Sequence, residues 1–182
     1  AGNFTRTGYI WFKDGSGNVS SSSSDSITLR SLVATQISAG LEHTCALDNE
    51  SSVYCWGKGT YGSLGNGSGT SQNSPVLVDN ISNATSVSSG TVHTCAVLST
   101  GSVKCWGGNE YGQLGDGSTS SQTTPVLVSG IDNATSVSLG DSYTCALLSG
   151  GTVKCWGRGN AGQLGNGSNS NQAAPVFVSS ID

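Results

Sequence analysis

The residues best placed to do chemistry are six cysteines, Cys45, Cys55, Cys95, Cys105, Cys145 and Cys155, together with His43 and His93. Such a set offers three chemistries: a thiolate nucleophile beside a base, a metal centre, or a disulfide framework. Structural zinc sites use C-x-x-C or similar spacing, which is absent here, and two histidines do not complete a ligand set. Nucleophilic catalysis fails on repetition, because His43 and His93 sit at equivalent places in successive motif copies and the third copy carries Tyr143 there. A group repeated along a scaffold is structural, and no nucleophile, base and acid gather around any of them. Paired carboxylates do not recur either. The stretch Gly65-Asn66-Gly67-Ser68-Gly69 lacks the Lys-Ser/Thr of a phosphate-binding loop, so Asn66-Gly67, Asp116-Gly117 and Asn166-Gly167 read as tight turns. The expectation is no enzyme, no catalytic residue, no cofactor and no metal. Disulfides remain.

The pairing depends on the elements that carry the cysteines. Gly40/Gly90/Gly140, Trp56/Trp106/Trp156, Leu64/Leu114/Leu164 and Pro75/Pro125/Pro175 recur with the cysteines at a period of 50 residues. Three copies follow, 33–82, 83–132 and 133–182, after an atypical segment 1–32. In the last copy, three short β-branched or aromatic runs, led into by residues 133–138, lie at 143–148, 152–156 and 175–178, separated by turn signals. With a further strand expected near Gln163-Leu164, each copy reads as a small meander of about four strands, the pattern of a propeller blade. If Ser149-Gly150-Gly151 is a three-residue hairpin loop, residues whose numbers sum to 300 face each other, which sets Cys145 opposite Cys155. Directly opposed residues on antiparallel strands lie within disulfide reach. The expected bridges are therefore Cys45–Cys55, Cys95–Cys105 and Cys145–Cys155. The rival joins Cys55 to Cys95 and Cys105 to Cys145 and leaves two thiols over. The loop's third place favours a left-handed residue, which Gly101 and Gly151 supply and Ser51 does not.

Composition narrows the remaining classes. The chain has 182 residues, 35% hydrophobic and 10% charged, with 27 glycines and a net charge of −4. Only seven Lys and Arg are present, and they are dispersed, which argues against a nucleic-acid footprint. No apolar run is long enough to span a bilayer as a helix, so no membrane insertion is expected. A cysteine pair in every copy implies an oxidising compartment, extracellular or at the cell surface, and Ala1 reads as a processed or trimmed start.

The runs His93-Thr94-Cys95-Ala96-Val97, Val103-Lys104-Cys105-Trp106-Gly107 and Asn109-Glu110-Tyr111-Gly112-Gln113-Leu114-Gly115 resemble the regulator of chromosome condensation repeat. The resemblance implies a β-propeller, usually of seven blades in that family. Its members include a nuclear nucleotide-exchange factor, ubiquitin-ligase modules and secreted proteins, and what they share is a protein-binding scaffold. Hairpin cysteines resemble the secreted branch. Seven blades at this period need about 350 residues, roughly twice the present chain. The expected fold is thus all-β, with three blades plus an N-terminal partial blade in an incomplete ring or open superhelix.

Open blade stacks leave apolar faces and strand edges bare. Three outcomes are consistent with that: a fragment of a longer propeller, two copies closing a ring, or copies joining head to tail into a filament. The filament is the leading expectation, with copies of the same chain as partner. Tyr9, Ile10, Trp11, Phe12, Ile27 and Leu29 in the N-terminal segment and Val176, Phe177 and Val178 in the last blade are the candidate assembly residues. The alternative is a binding module for another protein, read by loops that vary between copies. Tyr61, Tyr111 and Arg158 are the candidate contacts there, in loops after each Trp-Gly, with Leu41-Glu42, Thr91-Val92 and Asp141-Ser142 as a second variable set. Trp56, Trp106 and Trp156 are expected between blades. Asn18, Asn83 and Asn133 head Asn-x-Ser/Thr triplets and are candidate glycan carriers.

Overall fold

The computed structural model describes residues 4–10, 23–29 and 33–180, and side chains from residue 33 onward. Trp11, Phe12 and Asn18 lie outside the described residues. The chain divides into two compact units, 1–33 and 34–182. In the first, β1 (Phe4–Ile10) pairs antiparallel with β2 (Ser23–Leu29), setting Tyr9 opposite Ser24, Ile10 opposite Ser23, Arg6 opposite Ile27 and Phe4 opposite Leu29.

The second unit is three antiparallel sheets, each a meander of four consecutive strands. The first holds β3 (Ala34–Ala39), β4 (His43–Asp48), β5 (Val53–Gly57) and β6 (Gln72–Leu77). The second holds β7 (Ala84–Ser89), β8 (His93–Leu98), β9 (Val103–Gly107) and β10 (Gln122–Leu127). The third holds β11 (Ala134–Leu139), β12 (Tyr143–Leu148), β13 (Val153–Gly157) and β14 (Gln172–Phe177). The fold is all-β, built of propeller-type blades, and the sheets do not close into a ring. Each blade places its proline (Pro75, Pro125, Pro175) on the outermost strand, where a missing N–H costs no inner ladder bond.

One expected element is corrected. Gln163-Leu164 is not a strand; it lies in successive turns closed by Gly162 N to the Gly159 carbonyl and Gly165 N to the Gly162 carbonyl. The fourth strand of the blade is the run beginning at Ala134 instead. Those turns drive Leu164, like Leu64 and Leu114, into the blade as a fully buried plug. Periodicity does not separate such a plug from a strand of two residues.

The central hairpin has the register set by a three-residue loop, with Cys45 facing Cys55, Cys95 facing Cys105 and Cys145 facing Cys155. Each facing pair is disulfide-bonded, with Cα atoms 4.1 Å apart. Gly101 and Gly151 adopt φ of +82° and +88° in the loop's third place, and Ser51 is held at +66°. Asp48 secures that strained turn, its Oδ1 accepting from the backbone N–H of Glu50 and of Ser52, each at 2.8 Å.

Alternation along the strands gives every blade two apolar faces, and those that meet at the two seams are buried. Even-numbered residues of β4, β8 and β12 look back toward the preceding blade, and odd-numbered ones look forward. Two cores result. The first joins Cys45, Leu47, Val53 and Val78 to Val87, Ala96 and Trp106 across the first seam. The second joins Cys95, Val97, Val103 and Val128 to Ala134, Ala146 and Trp156 across the next. Blade two is covered on both sides, and all six residues of β8 are buried.

Candidate functional site

Each seam carries the same polar key inside its apolar core. The Ser63 carbonyl accepts from Trp106 Nε1–H at 3.0 Å and from the Thr94 hydroxyl at 3.1 Å. The Gln113 carbonyl accepts from Trp156 Nε1–H at 2.9 Å and from the Thr144 hydroxyl at 3.0 Å. One carbonyl oxygen has two lone pairs, so a single acceptor is saturated by the next blade. The tight approach needs a glycine beneath the indole: a Cβ on Gly65 would lie 2.7 Å from Trp106 Nε1, and one on Gly115 2.6 Å from Trp156 Nε1.

The histidines complete the key. His43 Nε2 lies 2.8 Å from Thr94 Oγ1, and His93 Nε2 lies 2.9 Å from Thr144 Oγ1. Each threonine spends its one hydroxyl proton on the carbonyl, so the imidazole must donate from Nε2. His93 Nδ1 is then a bare lone pair, buried and without a hydrogen-bond partner. Burial lowers the His93 pKa to about 3, with repulsion from His43 adding to the effect and Asp141 opposing it. Burial lowers the His43 pKa as well. These rings are neutral packing elements, and the first disulfide borders the first key, Cys45 Sγ lying 4.0 Å from Thr94 Oγ1.

The outer blades expose the two halves of this seam. On the backward face of blade one, Ile37 is 67% exposed where its counterpart Val87 is 2% exposed. Thr44, Ala46 and Trp56 are half-buried there, whereas Thr94, Ala96 and Trp106 are fully buried. On the forward face of blade three, Leu147 is 42% exposed where Val97 is 2%. Tyr143, Cys145, Val153, Val176 and Val178 are half-buried beside it. Among the described residues, no group accepts from Trp56 Nε1 and none donates to the Gln163 carbonyl, the counterparts of the groups paired in both inner seams.

Phe177 stands apart from Val176 and Val178. It is exposed on the outermost strand, with Lys154 Nζ 4.6 Å from its ring centroid, and Leu77 and Leu127 are exposed at the same place in the other blades. Its exposure is therefore a property of the outer rim shared by every blade. Asn83 and Asn133 lie in the connections before β7 and β11. The Asn133 side chain is exposed, while Asn83 Nδ2 donates to Ser99 Oγ at 3.3 Å.

The loops that vary between copies meet at one end of the sheets. Glu42 pairs with Lys58 at 2.6 Å, and Asp141 with Arg158 at 3.6 Å, so the two variable sets contact each other. The Arg158 guanidinium lies 5.4 Å from the Tyr111 ring centroid. A shallow cleft there is bordered by Tyr61, Thr91, Val92, Glu110, Tyr111 and Ser142. Sequence reading missed two organisers. Asn109 is fully buried, its amide donating to the Ser118 and Ser120 carbonyls and its Oδ1 accepting from Leu114 N–H. Gln36 reaches across the first seam, accepting from Val87 N–H at 3.0 Å and donating to the Val87 carbonyl at 3.2 Å. Both stand where the other copies have different residues, so the repeat carries no signal for them.

Four-stranded meanders stacked face to face through an indole-to-carbonyl key, without closure, define a propeller-type repeat protein. A family model described as the regulator of chromosome condensation (RCC1) repeat matches residues 50–97, 100–147 and 150–182, and a second model of the same repeat matches 34–63, 84–113 and 134–163. The chain belongs to the RCC1 repeat family. Over 44 residues it is 39% identical to the ultraviolet-B receptor UVR8 of Arabidopsis thaliana, which is 24% of this chain and 10% of the receptor. Human WBSCR16 superposes with a TM-score of 0.72 at 25% identity, over 86% of this chain and 40% of that one. Yeast RCC1 (Prp20), solved bound to Kap60, gives 0.70 at 19% identity over 80% and 37% of the two chains. The chain thus spans 40% or less of these solved propellers. The fold supports a propeller-type protein-binding module, and no helix among the described residues is long and apolar enough to cross a membrane.

Proposed function

We propose that the protein is an extracellular, disulfide-braced propeller-repeat module that binds copies of itself head to tail and so builds a surface filament. The observation that carries this reading is the pair of outer faces, which are the two unlike halves of a seam the chain already makes twice. Unlike halves give a heterologous contact, which propagates unless the rotation closes. Burying Ile37 and Trp56 against Leu147, Val153 and Val178 supplies the apolar driving force. The three bridges suit an oxidising compartment. Tyr9, Ile10, Trp11, Phe12, Ile27 and Leu29 in residues 1–32 are the proposed strand donor to a neighbouring subunit.

Size measurement with electron microscopy of the purified chain tests the reading. Filaments are expected, and deletion of residues 1–32 should abolish them. Filaments of unchanged length from the truncated chain reject the strand-donor role. A monodisperse single-copy particle rejects self-assembly. That second outcome favours a module for a foreign protein, a reading supported by the rim cleft between Tyr61 and Tyr111 beside Arg158.

A further inference from the structure

We infer that docking between copies is selected by a polar key, in which the Gln163 carbonyl of one copy accepts from Trp56 Nε1 and the Thr44 hydroxyl of a second copy. This inference rests on the head-to-tail reading and names the groups that set its register. In each inner seam, one carbonyl takes both donors of the next blade: Ser63 from Trp106 and Thr94, Gln113 from Trp156 and Thr144. Gln163 holds that place on the forward face of blade three, and its carbonyl has neither donor among the described residues. Trp56 and Thr44 hold the donor places on the backward face of blade one and are half-buried. A second copy set in the same relation as one blade to the next satisfies all three groups at once.

The key also explains why register matters more than apolar area. Leu147, Val153 and Val178 tolerate sliding contacts, but an indole N–H buried away from an acceptor loses its hydrogen bond to water without replacement. Only one relative placement puts Trp56 over the turn at Gln163. Tyr143 sits against Gly140 as His43 sits against Gly40 and His93 against Gly90. Its phenol therefore occupies the place from which the histidines reach the threonine of the next blade. The Cys145–Cys155 bridge lies on the same face, where Cys45–Cys55 borders Thr94 in the inner seam. Docking should cover it.

The test compares the full chain with Trp56→Phe and Tyr143→His by sedimentation across concentration. Phe keeps the apolar ring and removes only the donor, so Trp56→Phe should raise the concentration needed for assembly about ten-fold or more. Tyr143→His restores the inner-seam arrangement and should assemble at the wild-type concentration or below. In parallel, mass spectrometry after limited reduction should find Cys145–Cys155 protected in the assembled fraction and open in the dilute chain. Wild-type assembly with an unshifted Trp56→Phe variant overturns the key and leaves head-to-tail binding standing, whereas equal reducibility of the bridge in both fractions means the forward face stays uncovered and overturns both. A chain that never assembles overturns both. A closed two-copy ring that is sensitive to Trp56→Phe supports the key and removes the filament.

Discussion

His93 Nε2 lies 2.9 Å from Thr144 Oγ1, repeating the 2.8 Å contact between His43 and Thr94 one blade earlier. The hydroxyl is already committed to a backbone carbonyl, so the imidazole is fixed as an Nε2–H tautomer with Nδ1 unpartnered. A second proton would have to sit on Nδ1, in the core, with nothing to receive it. Two neutral histidines thus join successive blades, and the protonation state of each is part of the packing.

Stability should therefore fall in acid through the seams. The His93 pKa drops from 6.5 to about 3 on folding, so between those values the unfolded chain binds the proton and the folded chain does not. The contribution is complete above about pH 6.5 and is lost progressively toward pH 3. At roughly 1.4 kcal/mol per pH unit, the full loss is on the order of 5 kcal/mol, with His43 adding in the same direction. Denaturant unfolding at pH 7, 5 and 4 measures it. His93→Gln should flatten the slope, and an unaltered slope in that variant rules out His93 as its source.

The three hairpin loops offer an internally controlled comparison. Ser51 is held at φ +66°, where a non-glycine residue is strained by about 1–2 kcal/mol, and Ser51→Gly should stabilise the chain by up to about 1 kcal/mol. Gly151→Ala should cost about 1–2 kcal/mol from backbone strain alone, because a Cβ there meets nothing within 4 Å. Gly101→Ala should cost more, since its Cβ would meet the Asp132 carbonyl and Asn133 Cα. Equal losses at Gly101 and Gly151 would falsify the steric part. Asp48→Ala should be less harmful in a Ser51→Gly background, because the carboxylate then secures a relaxed turn.

The bridges should differ in accessibility even though their sequence spacing is identical. Cys45, Cys55, Cys95 and Cys105 are fully buried between blades, whereas Cys145 is half-buried on the forward face. Graded reduction of the dilute chain should open Cys145–Cys155 first, read by thiol labelling and mass spectrometry. Each bridge closes a loop of ten residues' separation and should contribute about 2–3 kcal/mol. Simultaneous loss of all three bridges counts against burial as the controlling factor.

How much was legible in the chain follows from what the 50-residue repeat encodes. Whatever is common to the copies is readable: the meander, the place of Trp106 and Trp156 between blades, and the opposition of Cys145 and Cys155 once the Gly151 loop is counted, while Trp56, expected between blades as well, lies half-buried on the backward face of blade one. Contacts made between copies are not, because a period says nothing about depth. The Ser63 and Gln113 carbonyls are backbone atoms with no side-chain signature, and the histidine–threonine contacts span 51 residues. Leu164 misled because alternation and burial of one residue look alike over two positions. Departures such as Gln36, Asp48 and Asn109 look like drift until their partners are seen.

The tryptophans give the last comparison, since one residue type occupies two environments at one scaffold position. Trp106 and Trp156 are fully buried and each donates to a carbonyl that is itself shielded from water. Replacing either with Phe keeps the ring packing and deletes one donor, leaving Ser63 or Gln113 with the threonine alone. The cost should be about 1–3 kcal/mol per site. The two sites lie in separate cores, so the double variant should lose close to the sum of the single losses. Trp56→Phe should leave the dilute chain's unfolding midpoint nearly unchanged, because its indole has no acceptor there to lose. A midpoint shift from Trp56→Phe as large as that from Trp106→Phe would mean that the backward face is already satisfied within a single copy.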